Sequence, residues 1–231
     1  MKLILFDIDG TMLRTHGMGH EAVVHALSEI AGQRITTEGV FFSGKTDPQI
    51  MREVMRVNGL SHVVDDVLLA EAQAAYTEAM VAAYDNDRVE ELAGVREVVE
   101  ALAERDDVQL SLLTGNYERT AYLKVASIGL AHHFPFGAFG SDAEARSALP
   151  AIGVARAKAH TGRDFVGHDV IIIGDTEHDI TCGRALGVFS VAVATGNYSR
   201  EELAAHQPNL LLDDLRDPQP LLDLLGNTRR P

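Results

Sequence analysis

Short runs rich in Val, Ile and Leu recur along the chain, at Leu3–Ile8, Val108–Leu113, Val170–Ile173 and Val188–Val193, with the briefer Leu210–Leu212 after them. Uninterrupted runs of this length belong to parallel strands covered by helices on both faces. The stretches between them keep helical spacing. Val95, Val98, Val99 and Leu102 share one face, as do Tyr122, Val125, Ala126 and Gly129, and a further helix runs from Leu149 to a C-capping Gly162. This alternation predicts an α/β fold built on a doubly wound parallel sheet.

One region breaks the alternation. From about Thr15 to Asp87 the pattern is helical, with Val24, Leu27 and Ile30 on one face, Ile50, Val54 and Val57 on another, and an Ala-rich stretch from Val63 to Tyr84. An all-helical module at residues 15–87, inserted after the first strand, is expected, with 1–14 and 88–231 forming the core. A chain of 231 residues, 46% of them apolar, can support both. Its net charge of −14 argues against nucleic acid or anionic lipid as a partner. No apolar run is long enough to span a bilayer, and the first run, broken by Asp7 and Asp9, does not read as a secretory signal. The single cysteine, Cys182, excludes an internal disulfide and fits a reducing cytoplasm. A cytoplasmic protein with a small-molecule partner is expected, and no sequence feature specifies an oligomeric state.

Ligands of open α/β sheets bind outside the carboxyl ends of the strands. The first run, "LILFDIDGTML", ends in Asp7-Ile8-Asp9-Gly10-Thr11, the second in Thr114-Gly115-Asn116, and the third in Gly174-Asp175 with Asp179 soon after. Four acids and a hydroxyl–amide pair on one rim suit a phosphate ester. Facing acids call for a hard cation, and oxygen ligands favour Mg²⁺. Thr114, Gly115 and Asn116 at a helix start form an anion site. Asp7 can attack phosphorus to give an aspartyl-phosphate, and Asp9 can carry the proton to the leaving alcohol and from water. "Thr-Gly-Asn-Tyr" recurs at Thr195–Tyr198, where it reports the same strand-to-helix geometry and need not be functional.

These residues resemble the haloacid dehalogenase-like hydrolase superfamily, especially its phosphoglycolate phosphatase-like members with a helical cap after the first motif. The signature Asp-x-Asp-Gly-Thr stands as Asp7–Thr11, the Thr motif as Thr114, and "GDxxxD" as Gly174-Asp175 to Asp179. The resemblance covers the whole chain and implies a Rossmann-like core, residues 15–87 as the cap, and Mg²⁺ held by the Asp7 carboxylate, the Asp9 backbone carbonyl and Asp175, with Asp179 supporting them. The family's basic third motif, commonly Lys-Pro, is missing. Arg146, just before the Leu149 helix, is the expected phosphoryl contact because such a group belongs at the helix entrance; Lys158, inside that helix, is the alternative.

Around these, Thr11 is expected to fix the turn near Asp9, His178 to face solvent, and Cys182 to be a small buried side chain. In "FFSGKTDPQI", Asp47 reads as an N-cap with Pro48 opening the helix, and Lys45 as a candidate contact to substrate. The function expected is Mg²⁺-dependent hydrolysis of a small phosphomonoester, phosphoglycolate-like or a sugar phosphate. A β-phosphoglucomutase-type mutase uses the same two acids; a phosphonatase would need Lys45 as a Schiff base, a dehalogenase would lack Asp9, and a non-catalytic sensor would need neither acid.

Overall fold

The structure, a computed structural model, describes residues 1–60 and 66–226. Among these residues, eight strands lie at Lys2–Phe6 (β1), Leu13–Arg14 (β2), Glu90–Glu91 (β3), Val108–Leu113 (β4), Gly137–Ala138 (β5), Val170–Gly174 (β6), Phe189–Val193 (β7) and Leu210–Leu212 (β8). The helices longer than a single 3-10 turn are Met18–Ala31 (α1), Asp47–Val57 (α2), Asp66–Ala82 (α3), Val95–Ala103 (α4), Glu118–Ser127 (α5), Leu149–Thr161 (α6), Glu177–Cys182 (α7), Arg200–Ala205 (α8) and Gln219–Leu224 (α9). Six strands form one sheet in the order β5-β4-β1-β6-β7-β8, with every pairing parallel. The five predicted strands are all there. The other three have two residues each, too few to show a pattern in sequence.

Alternation along the strands divides the core in two. Ile4 and Phe6 of β1 join Leu110, Leu112, Ile171 and Ile173 on one face, under α4 and α5. Leu3 and Leu5 join Leu113, Val170 and Ile172 on the other, against Leu149 and Ala157 of α6. The result is a Rossmann-like doubly wound sheet with β1 at its centre. Strand order reverses around β1, so the crevice that such folds use lies at the carboxyl ends of β1, β4 and β6.

Helices α1, α2 and α3 bury their own apolar cluster, which includes Leu27, Met51, Val54, Met55, Tyr76 and Met80, with Tyr117 entering from the far side. The part of the Ala-rich stretch at Val63–Asp65 lies outside the described residues. Burial on α1 runs through Ala22, Val23, Ala26 and Leu27, one residue away from the predicted Val24 stripe, because the small alanines turn to their neighbours. Val57 at the end of α2 is exposed while Met51 and Met55 are buried. On α5 the buried face is Thr120, Ala121, Lys124 and Val125 instead of the expected Ala126 side. That face holds a lysine because its ammonium has partners at a strand end. The chain leaves for α1 through β2 and returns through β3, and these two pair antiparallel, Leu13 with Glu91 and Arg14 with Glu90.

Candidate active site

β1 stops at Phe6, one residue before the first acid. The Asp7 amide still donates to the Ile173 carbonyl at 3.0 Å, and then the amides of Thr11, Met12 and Leu13 all turn back onto the Ile8 carbonyl. Gly10 makes that loop possible. Its φ is 85°, and a Cβ there would lie 2.5 Å from an Asp175 carboxylate oxygen. Asp7 and Asp9 therefore do not share one strand face. The sharp turn sends them to different neighbours.

Asp7 turns inward. One carboxylate oxygen from each of Asp7, Asp175 and Asp179 lies within 4.8 Å of the others, and all three residues are buried. A single nitrogen of Arg146, Nη2, donates to Asp7 Oδ1 at 2.9 Å and also to Asp179 Oδ1. Arg146 occupies a 3-10 turn at the entrance to α6 and is itself buried, and its Nε has no hydrogen-bond partner among the described residues. The other oxygen of Asp179 accepts from the Thr176 amide at 3.1 Å and the Thr176 hydroxyl at 2.7 Å, which caps α7. The Thr11 amide helps to close the turn beside Asp9, as expected, and its hydroxyl donates to Asp175 at 3.0 Å and braces that acid. Burial pushes the Asp7 carboxyl up to about 7, with Asp179 adding to the rise and Arg146 opposing it. Burial and the Asp7 charge likewise drive Asp175 well above its ordinary value. Three crowded, buried carboxylates facing one cation are short of positive charge, and an all-oxygen set of this kind fits a hard divalent ion.

Asp9 turns the other way, towards a cavity, with its side chain 40% exposed. Lys124 of α5 reaches up from beneath, its side chain only 5% exposed, and donates to both Asp9 oxygens at 2.9 and 2.7 Å. Asn116 donates to Asp9 Oδ2 at 2.8 Å and to the Thr114 hydroxyl at 3.1 Å, and accepts from Lys124 on its own carbonyl. Its carboxamide is thus taken up by these groups, although the sequence placed it among the phosphate donors. Thr114 Oγ1 also accepts the Asn116 amide at 3.3 Å, which leaves its own proton to give. Sequence reasoning missed Lys124. Nothing in the pattern of α5 signals a buried charge, and the apolar spacing of Tyr122, Val125 and Ala126 points to a different buried face.

The cavity measures about 380 Å³ and is lined by Asp7, Asp9, Thr114, Gly115, Asn116, Arg146 and Asp175 on the sheet side. His16, His20, Phe42, Lys45 and Tyr76 wall the helical side. Lys45 reaches the cavity with its ammonium on Glu53 at 2.6 Å. Lys158 is not among the residues that line the cavity; it is 61% exposed and paired with Asp164. His178 is half-buried, with its ring against Gly44, and Cys182 is buried. Thr46, not Asp47, caps α2 in a reciprocal box with Gln49. Asp47 stands one residue further in. Its amide donates to the Gly115 carbonyl at 2.7 Å and its carboxylate accepts the Tyr117 amide at 2.9 Å. Both Thr-Gly-Asn-Tyr loops border the cavity. In the second, Thr195 donates to the Gly10 carbonyl at 2.6 Å, and a Cβ on Gly196 would fall 1.6 Å from an Asp175 oxygen.

A family model described as haloacid dehalogenase-like hydrolase matches residues 4–193. The chain is 26% identical to pyrophosphatase PpaX of Anoxybacillus flavithermus, over 100% of this chain and 99% of that protein. It is 27% identical to a phosphoglycolate phosphatase of Pseudomonas syringae pv. syringae, over 100% and 85% respectively. Among solved structures, a β-phosphoglucomutase of Clostridium difficile superposes with a TM-score of 0.71 at 17% identity, covering 96% of each chain. That last likeness concerns the fold alone.

Proposed function

The chain belongs to the haloacid dehalogenase-like hydrolase family and is a phosphatase-type enzyme, and from that premise we propose that it is a Mg²⁺-dependent hydrolase of a small phosphomonoester, phosphoglycolate-like or a sugar phosphate. The observation that carries this reading is the division of labour between Asp7, in the buried acid cluster, and Asp9, on the cavity wall. Residues 15–87 act as a cap over a core of 1–14 and 88–231, a reading supported by their separate apolar cluster and their share of the cavity wall.

Asp7, Asp175 and the Asp9 backbone carbonyl are the groups that would hold Mg²⁺, with Asp179 behind them, and the ion would neutralise charge on the phosphoryl group. The Thr114 hydroxyl, the Gly115 amide and Arg146 hold the phosphoryl oxygens. An Asp7 oxygen then attacks phosphorus as the bond to the leaving oxygen breaks, and Asp9 gives that oxygen a proton. In the second half a water attacks the same phosphorus while Asp9 takes its proton. The Asp7–phosphorus bond breaks, Asp7 is restored as a carboxylate, and inorganic phosphate leaves. A cavity of about 380 Å³ suits a small metabolite. Lys45 is already engaged by Glu53 at 2.6 Å, an arrangement that suits contact with an anionic substrate group better than a Schiff base.

A phosphate-release screen over phosphorylated metabolites, with and without Mg²⁺, tests the reading. Mg²⁺-dependent release from two- to six-carbon phosphomonoesters is expected. Isomerisation of a sugar phosphate with little free phosphate would replace it by the mutase, and binding without turnover by the sensor.

The acid cluster also sets a pH dependence. In the native state Asp7 keeps its proton up to about pH 7, whereas the unfolded carboxyl loses it near its ordinary 3.8. Asp47, pushed up to about 7 by burial, behaves alike. The native state therefore binds the extra protons in that window, and unfolding free energy falls as pH rises from about 4 through 7. Mg²⁺ binds the deprotonated acids, so its stabilisation grows over the same range. Thermal unfolding at pH 5 to 8 is expected to show a falling midpoint in EDTA and a much flatter one in Mg²⁺.

A further inference from the structure

We propose that Lys124 is a positioning residue that holds the Asp9 carboxylate at the cavity wall in the orientation used for proton transfer, an inference that rests on the assignment of Asp9 as proton carrier. Three observations converge. Lys124 is the buried partner of a half-exposed acid, and its ammonium reaches both oxygens of Asp9. The same ammonium reaches Asn116, which in turn donates to Asp9, so lysine, carboxamide and carboxylate close a ring. Lys124 also rises from α5, the helix that follows the Thr114–Asn116 loop, so one element carries both the phosphate-facing loop and the support for the proton carrier.

The need for such a support follows from the neighbours. Asp9 sits two residues from Asp7, and Arg14 lines the same cavity. An untethered carboxylate there is free to rotate towards Arg14 or towards a cation among the acids. Either rotation takes it away from the leaving oxygen, which it must approach to within hydrogen-bond reach. Lys124 and Asn116 hold both oxygens through three hydrogen bonds, which oppose rotation, while the Asp9 side chain stays 40% exposed.

The experiment compares leaving groups. An alkyl phosphomonoester needs protonation as its bond to phosphorus breaks, and p-nitrophenyl phosphate hardly does. Lys124→Met keeps the stem and removes the ammonium. It is expected to lower kcat/KM for the best alkyl substrate by about 10- to 100-fold and for p-nitrophenyl phosphate by less than about 3-fold, as loss of positioned acid–base catalysis predicts. On an Asp9→Asn background the same change should cost little more, because the two act as one unit. Lys124→Arg should recover much of the alkyl activity, and it is the deciding variant if Lys124→Met does not fold. Equal loss with both substrates in a folded variant, or a full additional loss on the Asp9→Asn background, overturns the proposal. Absence of Asp7-dependent phosphate release from the wild type would instead defeat the functional reading beneath it.

Discussion

Replacing Asp7 by Asn is expected to abolish phosphate release, with kcat lower by about 10⁴-fold or more, as for loss of a covalent nucleophile. The amide keeps the size and an oxygen to accept from Arg146, which now reaches Asp7 Oδ1 at 2.9 Å, so the site is not expected to collapse. It cannot form an acyl phosphate. Acid-quenched wild-type protein given labelled substrate should carry an alkali-labile phosphoryl group, and Asp7→Asn should carry none. Stability should move the opposite way to activity. The wild-type carboxyl is held up to about 7 by burial, so ionising it in the metal-free fold is costly. Metal-free Asp7→Asn should therefore unfold at or above the wild-type temperature at pH 8. A variant that kept measurable turnover, or that accumulated phosphoenzyme, would contradict the mechanism.

Removing Arg146 should damage both fold and activity. Arg146→Ala leaves Asp7 and Asp179 buried beside Asp175 without their shared cation. Breaking a buried ion pair from one side costs about 3–5 kcal/mol, because the remaining charges stay uncompensated. Urea unfolding in EDTA should register that loss. Turnover in Mg²⁺ should fall by about 10²- to 10³-fold, the scale for losing one fixed donor to transition-state charge. Arg146→Lys keeps the charge but not the fork, and should recover stability better than rate. Lys158→Ala provides the contrast; its partner is the exposed Asp164, and the change should leave turnover unaltered.

Much of this site is legible in the sequence. A parallel strand needs a long apolar run, so its end is easy to see, and Asp7, Asp175 and Thr114 stand at such ends. Arg146 stands out by the same logic, from its place at a helix entrance, and the structure sets it against Asp7 and Asp179. What escaped depended on contacts distant in sequence. Lys124 lies 115 residues from Asp9, and only the rotation of α5 against β1 brings it underneath. Thr46 and Asp47 can both cap a helix, and Pro48 is tolerated after either. The Gly115 carbonyl and the Tyr117 amide decide between them by engaging the Asp47 amide and carboxylate. Thr11 could have braced either neighbouring acid, and the placement of Asp175 against Gly10 settled which.

The two-residue ribbon of β2 and β3 has a consequence for how such a chain can change over generations. The excursion between Arg14 and Glu90 starts and finishes side by side, so its ends stay matched whatever lies between them. Lengthening a loop whose ends are already joined adds little entropic cost, about 0.6 kcal/mol per doubling. Mutation can therefore enlarge, trim or exchange the whole detour while the six parallel strands and their acids remain in register.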